Sequence, residues 1–90
     1  MKSLLDLGLV VATGCAALAL AKARTQPEEL LRRHSASDFG DVDAAQLKAN
    51  LNAIEAGGRV RSIYTLATGE RLHVITKIGS STSIVCAGEE

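Results

Sequence analysis

Aromatic side chains are almost missing from this chain: Phe39 and Tyr64 are the only two, and tryptophan does not occur. The 47% of residues that are hydrophobic therefore falls mainly on Ala, Leu, Ile and Val. That predicts a thin aliphatic core in which Phe39 and Tyr64 carry a disproportionate part of the packing. Net charge is also absent, because ten basic residues balance ten acidic ones. This argues against an electrostatically driven nucleic-acid or membrane binder, although a local basic patch stays open. Cysteine is scarce. Cys15 and Cys86 stand far apart, without a CxxC pair or a neighbouring histidine pair, which excludes a zinc-ligand set by spacing. Two buried thiols in a reducing cytoplasm are expected, and a bridge pinning the first helix to the last strand is the alternative.

Ninety residues make one small domain, 1–90, near the lower limit for burying a core without staples. Its organisation is densest over residues 59–87, where RVRSIYTL, RLHVITKI and TSIVCA are separated by ATGE and GSS. Three β-branched runs cut by glycine-bearing turns predict a three-stranded antiparallel meander. Upstream, residues 7–34 read as a helical part. Thr13 is placed to cap a helix from Gly14 to about Ala23, with Leu18 anchoring its buried stripe, and Leu7 to Ala12 is a short extended or helical lead-in. Thr25 and Glu28 have capping-box spacing ahead of a second helix, Pro27 to His34, whose buried side is Leu30 and Leu31. A third helix spans 43–56, capped by Asp43 and closed by Gly57-Gly58, with Leu47, Leu51 and Ile54 as its apolar face. Asn50 is read as facing solvent or bonding the preceding loop. The fold class is α+β, with about three short helices on one face of the meander.

The N-terminus imitates an export signal: Lys2 is the positive start, Leu7 to Ala21 is uncharged, and Val-Ala-Thr-Gly-Cys ends at Cys15 in the manner of a lipoprotein attachment sequence. Asp6 interrupts that pattern, the chain stays apolar after Cys15, and the run is shorter than the ~20 residues of a membrane helix. A soluble, cytoplasmic protein is therefore expected, with export as the alternative.

Catalytic signatures are missing too. Asp38, Asp41 and Asp43 lack the spacing of a calcium loop and are expected to cap and solvate. His34 and His73 have no carboxylate and nucleophile at triad spacing, GSSTS is no nucleophile elbow, and Gly57-Gly58 follows a helix instead of preceding one. A non-enzyme without cofactor or metal is expected. The sheet offers one surface. If the first hairpin has a three-residue loop, Val60, Tyr64 and Leu66 share a face with Leu72 and Val74. The opposite face then collects Arg59, Arg61, Ile63, Arg71, His73, Ile75 and Lys77. A two- or four-residue loop would mix the sets.

The order of residues resembles a family of small bacterial "plasmid-related" proteins, often carried on plasmids and integrated elements. The likeness is carried by Leu30-Leu31 with Arg33-His34, the loop Asp38-Phe39-Gly40-Asp41, Ala49-Asn50 inside the third helix, Gly58-Arg59 with Ser62 and Tyr64, and Ile75-Thr76. Leu7 to Leu20 is similar to the family's front segment, which places it inside the domain. Phe39 stands where the family has tryptophan, Lys77 where it has glutamate, and CAGEE replaces a proline-bearing end. The resemblance implies a mobile-element setting and no catalytic residue. It raises the expectation of a protein-binding module that modulates or inhibits a host defence or replication complex through the basic sheet face. A nucleic-acid-binding accessory using the same arginines and an exported lipoprotein anchored at Cys15 are the alternatives.

Overall fold

In the computed structural model, which describes residues 5–90, the elements run β1 (Leu9–Ala12), α1 (Gly14–Ala23), α2 (Pro27–Ser35), α3 (Ala44–Ala56), β2 (Arg59–Thr65), β3 (Arg71–Lys77) and β4 (Ser81–Cys86). Lys2 lies outside the described residues. Strand order is β1-β4-β3-β2, so the meander is present but carries a fourth strand, with β1 parallel to β4. The expected three-stranded antiparallel sheet is corrected to a four-stranded mixed one. The lead-in conceals its strand because Leu-Val-Val-Ala is apolar at every position. An unbroken apolar run shows no alternation to read, although β1 is an exposed edge strand, and its partner lies beyond a long crossover.

The first hairpin does use three loop residues: Leu66 N–H donates to the Glu70 carbonyl at 2.8 Å, and Tyr64 pairs with Leu72. Val60, Tyr64, Leu66, Leu72 and Val74 are all buried together. Ala16, Ala19 and Leu20 of α1 and Leu30 of α2 cover this face, with Ile84 and Cys86 completing the main core. Leu18 is corrected from anchor to surface residue, 59% exposed. The helix meets the sheet through Ala16, Ala19 and Leu20, and Leu18, two residues before Leu20, falls on the far side of the same helix.

Thr13 caps α1, accepting from the Ala16 amide at 3.1 Å, and Asp43 caps α3, accepting from Gln46 at 2.8 Å. The capping box at Thr25 does not form. Gln26 is the cap residue of α2, and the Thr25 hydroxyl instead donates to the Ala23 carbonyl.

The third helix departs most from expectation. Leu47, Leu51 and Ile54 are 43%, 51% and 40% exposed, while Asn50 is fully buried. The reason lies in β2, an edge strand whose outward N–H and C=O groups need partners. The Asn50 amide donates to the Arg61 carbonyl at 2.7 Å, and its oxygen accepts from the Arg61 N–H at 2.9 Å. Two residues on, the Ile63 N–H donates to the Phe39 carbonyl and the Asp41 N–H donates to the Ile63 carbonyl. This loop runs so close that a Cβ on Gly40 would collide with the Ile63 carbonyl, and the φ of +70° there suits only glycine well. So α3 flanks the sheet edge, with Ala53, Phe39 and Val60 forming a second small core. The expectation of all helices on one face is corrected accordingly.

Candidate functional site

Strand register arranges the open face in rows. Arg59, Lys77 and Ser81 stand side by side, then Arg61, Ile75 and Ser83, then Ile63, His73 and Val85, while Arg71 sits opposite Thr65. Leu9 and Val11 extend the first two rows onto β1. All seven residues expected on this face are on it, but they are not one patch. Arg59, Arg61, Ile75 and Lys77 line a depression of about 360 Å³ with Ser81, Ser83 and Val85. Ile63 and Arg71 border a second hollow of about 500 Å³ that meets the first at Arg61 and also takes in Asp41 and Asp43.

The first depression has an occupant. After β4 the chain turns at Gly88 (φ +93°) and lays Glu89 and Glu90 over the face. A Glu90 carboxylate oxygen lies 3.5 Å from the Arg61 guanidinium and 3.3 Å from His73 Nδ1. Its pKa is held below the usual carboxylate value, first by its own backbone amide, then by Gly88, His73 and Arg61. His73 is pushed down from the ordinary imidazole value. Burial is the main cause, Arg61 and Arg71 add to it, and Glu90 opposes it. His73 Nδ1 is buried with no hydrogen-bond partner among the described residues, so the Glu90 contact is one of proximity. Sequence reasoning missed this tail. Its one signal was a pair of acids following a glycine at the end of a strand next to a basic face.

A polar chain crosses the opposite, covered face. His34 bonds Ser62 at 2.5 Å through Nδ1 and Thr76 at 2.9 Å through Nε2, and Thr76 bonds Thr82 at 2.7 Å. Thr82 donates to the Leu7 carbonyl at 2.6 Å, which fixes every proton upstream. With that hydrogen committed, Thr76 must donate to Thr82. The His34 Nε2–H must donate to Thr76, and the Ser62 hydroxyl to Nδ1. Burial alone lowers the His34 pKa to about 4, consistent with this neutral tautomer. A serine bonded to a histidine invites comparison with a nucleophile and its base. Here His34, Ser62, Thr76 and Thr82 are essentially inaccessible, so no substrate reaches the oxygen. Their work is to tie α2 to β2, β3 and β4. Spacing concealed this set because its members come from four different elements.

The three loop aspartates cap and bridge. Asp38 pairs with Arg33 at 2.8 Å, Asp41 accepts from the Thr65 hydroxyl at 2.7 Å, and Asp43 caps α3. Arg33 also lies 4.6 Å from the centre of the Tyr64 ring, whose hydroxyl donates to the Asp38 carbonyl. Cys15 and Cys86 are joined in a disulfide, which corrects the expectation of two buried thiols. Parallel pairing of β1 with β4 brings them together: the Thr13 N–H donates to the Ile84 carbonyl just before α1 begins. Compared with protein-family models, curated proteins and solved structures, the chain matches none. No helix among the described residues is long and apolar enough to cross a membrane.

Proposed function

We propose that this is a small, non-enzymatic binding module whose open sheet face receives an acidic, partly aliphatic segment of a protein partner. The supporting observation is that a carboxylate of the chain itself, Glu90, already rests beside Arg61 and His73 in that depression. Arginine offers a fixed fork of donors suited to carboxylates, and Ile75 and Val85 supply apolar floor between the charges. The resemblance to plasmid-related proteins supplies the setting: a host protein of a defence or replication complex, met in the cytoplasm. A lipid anchor at Cys15 would compete with the bridge for the same sulfur.

The test is a titration of isotope-labelled protein with a peptide of alternating glutamate and isoleucine, followed by amide chemical shifts. Shifts centred on Arg61, His73, Ile75 and Lys77 are expected, and Arg61→Glu with Lys77→Glu should weaken binding at least about tenfold. An unchanged spectrum, or binding indifferent to the double substitution, overturns the proposal. A single-stranded oligonucleotide serves as the competing probe. If it binds better than the peptide, with affinity falling steeply as salt rises, the nucleic-acid reading replaces this one.

A further inference from the structure

Beyond the binding face, the surroundings of the disulfide set it apart from a simple staple. Its two sulfurs have unequal environments. Cys15 is exposed in the first turn of α1, whereas Cys86 is only 9% accessible at the end of β4. The first turn of α1 carries no acidic residue of its own, so its positive end is shared between the Cys15 sulfur and a carboxylate brought from the far end of the chain. A carboxylate completes the group. Glu89 accepts at 2.7 Å from both the Thr13 hydroxyl and the Cys86 N–H, and its oxygen and the two sulfurs lie within 4.8 Å of one another.

We propose that Cys15 and Cys86 form a thiol–disulfide exchange centre acting on exposed disulfides, with Cys15 as the attacking sulfur, Cys86 as the resolving sulfur and Glu89 as proton acceptor. In the reduced protein the Cys15 thiolate attacks one sulfur of a substrate disulfide. The substrate S–S bond breaks, a mixed disulfide forms at Cys15, and the first substrate thiolate leaves and takes a proton from water. The Cys86 thiol then gives its proton to Glu89 and attacks the Cys15 sulfur, expelling the second substrate thiolate, which takes that proton from Glu89 as it leaves. Two electrons pass from the protein dithiol to the substrate, which ends as two thiols while the bridge is restored. The same steps in reverse let a thiol such as glutathione reduce the bridge, entering at Cys15 because only that sulfur is open.

The test begins with the native chain in mixtures of reduced and oxidised glutathione, quenched in acid and alkylated with a maleimide. The expected result is the same reduced fraction approached from either side, with the protein folded throughout by circular dichroism. A bridge that stays fully oxidised in ~10 mM reduced glutathione overturns the proposal, since that is the behaviour of a structural disulfide. Single variants then identify the attacking sulfur. Cys86→Ser should capture an aromatic disulfide reagent at Cys15 at least about tenfold faster than Cys15→Ser captures it at Cys86, and equal rates overturn the assignment. Glu89→Gln keeps an oxygen for Thr13 and the Cys86 amide. It is expected to leave capture at Cys15 unchanged, to slow release of the second thiol and to move that step's pH profile. If release and its pH profile are unaltered, Glu89 has no part in proton transfer.

Discussion

At the scale of single residues, the polar groups buried in the core decide more than the aliphatic ones. His34 lies among Ser62, Thr76 and Thr82 with every hydrogen assigned, and a proton added to it would find no charge partner there. Its pKa is about 4 in the folded chain against an ordinary 6.5, so the unfolded chain takes up the proton more readily. Stability from this residue is therefore complete above pH 6.5 and declines as pH falls toward 4. The size of the effect is on the order of 3 kcal/mol. Urea unfolding at pH 7 and pH 4 should show the native protein losing more stability than His34→Gln by about that amount. Equal losses would mean that His34 does not remain neutral. None of this was legible in the sequence, where His34 is a lone histidine. The oxygen atoms that define it arrive from three strands, and the sequence does not say that the second helix lays His34 across them.

At the scale of elements, the sequence spoke clearly wherever local chemistry decides the outcome. Helix limits followed from Thr13, Asp43 and Gly57, whereas the register of β2 and β3 was open between loop lengths until the structure showed the three-residue turn that brings Leu66 to Glu70. That register placed all seven residues of the candidate face correctly. It failed for α3, because apolar periodicity assumes that a helix meets a neighbour through side-chain area. Here the neighbour is a strand edge with main-chain groups to satisfy, and Asn50 answers that need better than a leucine does. Asn50→Ala would leave the Arg61 N–H and C=O unpaired in a buried place and is expected to cost about 2 kcal/mol. Leu51→Gln, on the supposed core face, should change stability by no more than about 0.5 kcal/mol. Denaturant midpoints of the two variants test the assignment, and a reversed order would restore the apolar-face reading.

For the whole molecule, closure depends on contacts between distant parts of the chain. The bridge spans 71 residues, the Thr13–Glu89 bond spans 76, and β1 pairs with the last strand. Constraining an unfolded loop of that length is worth ~4 kcal/mol in the chain-entropy description. A small aliphatic core has little stability to spare, so Cys15→Ser is expected to lower unfolding free energy by ~2–4 kcal/mol, measured in urea without reductant. A loss below ~1 kcal/mol would show that β1 and α1 are held without the bridge. The long-range arrangement was the least legible level of all. Four apolar residues name no partner strand, and two cysteines name no pairing until β1 is known to lie beside β4.

The parallel pairing of β1 with β4 also has a bearing on synthesis. A ribosome releases Leu9–Ala12 long before it makes Ser81–Cys86, so β1 waits for β4. The β2–β3 hairpin, the loop at Phe39 and Asp41 and α3 are joined to one another within residues 39–77 and are complete before β4 is made, while β1 is still without its partner. During that interval an apolar strand with an unsatisfied backbone is open to any other nascent or misfolded chain. The order of translation thus makes β1 the strand that a chaperone has most reason to hold.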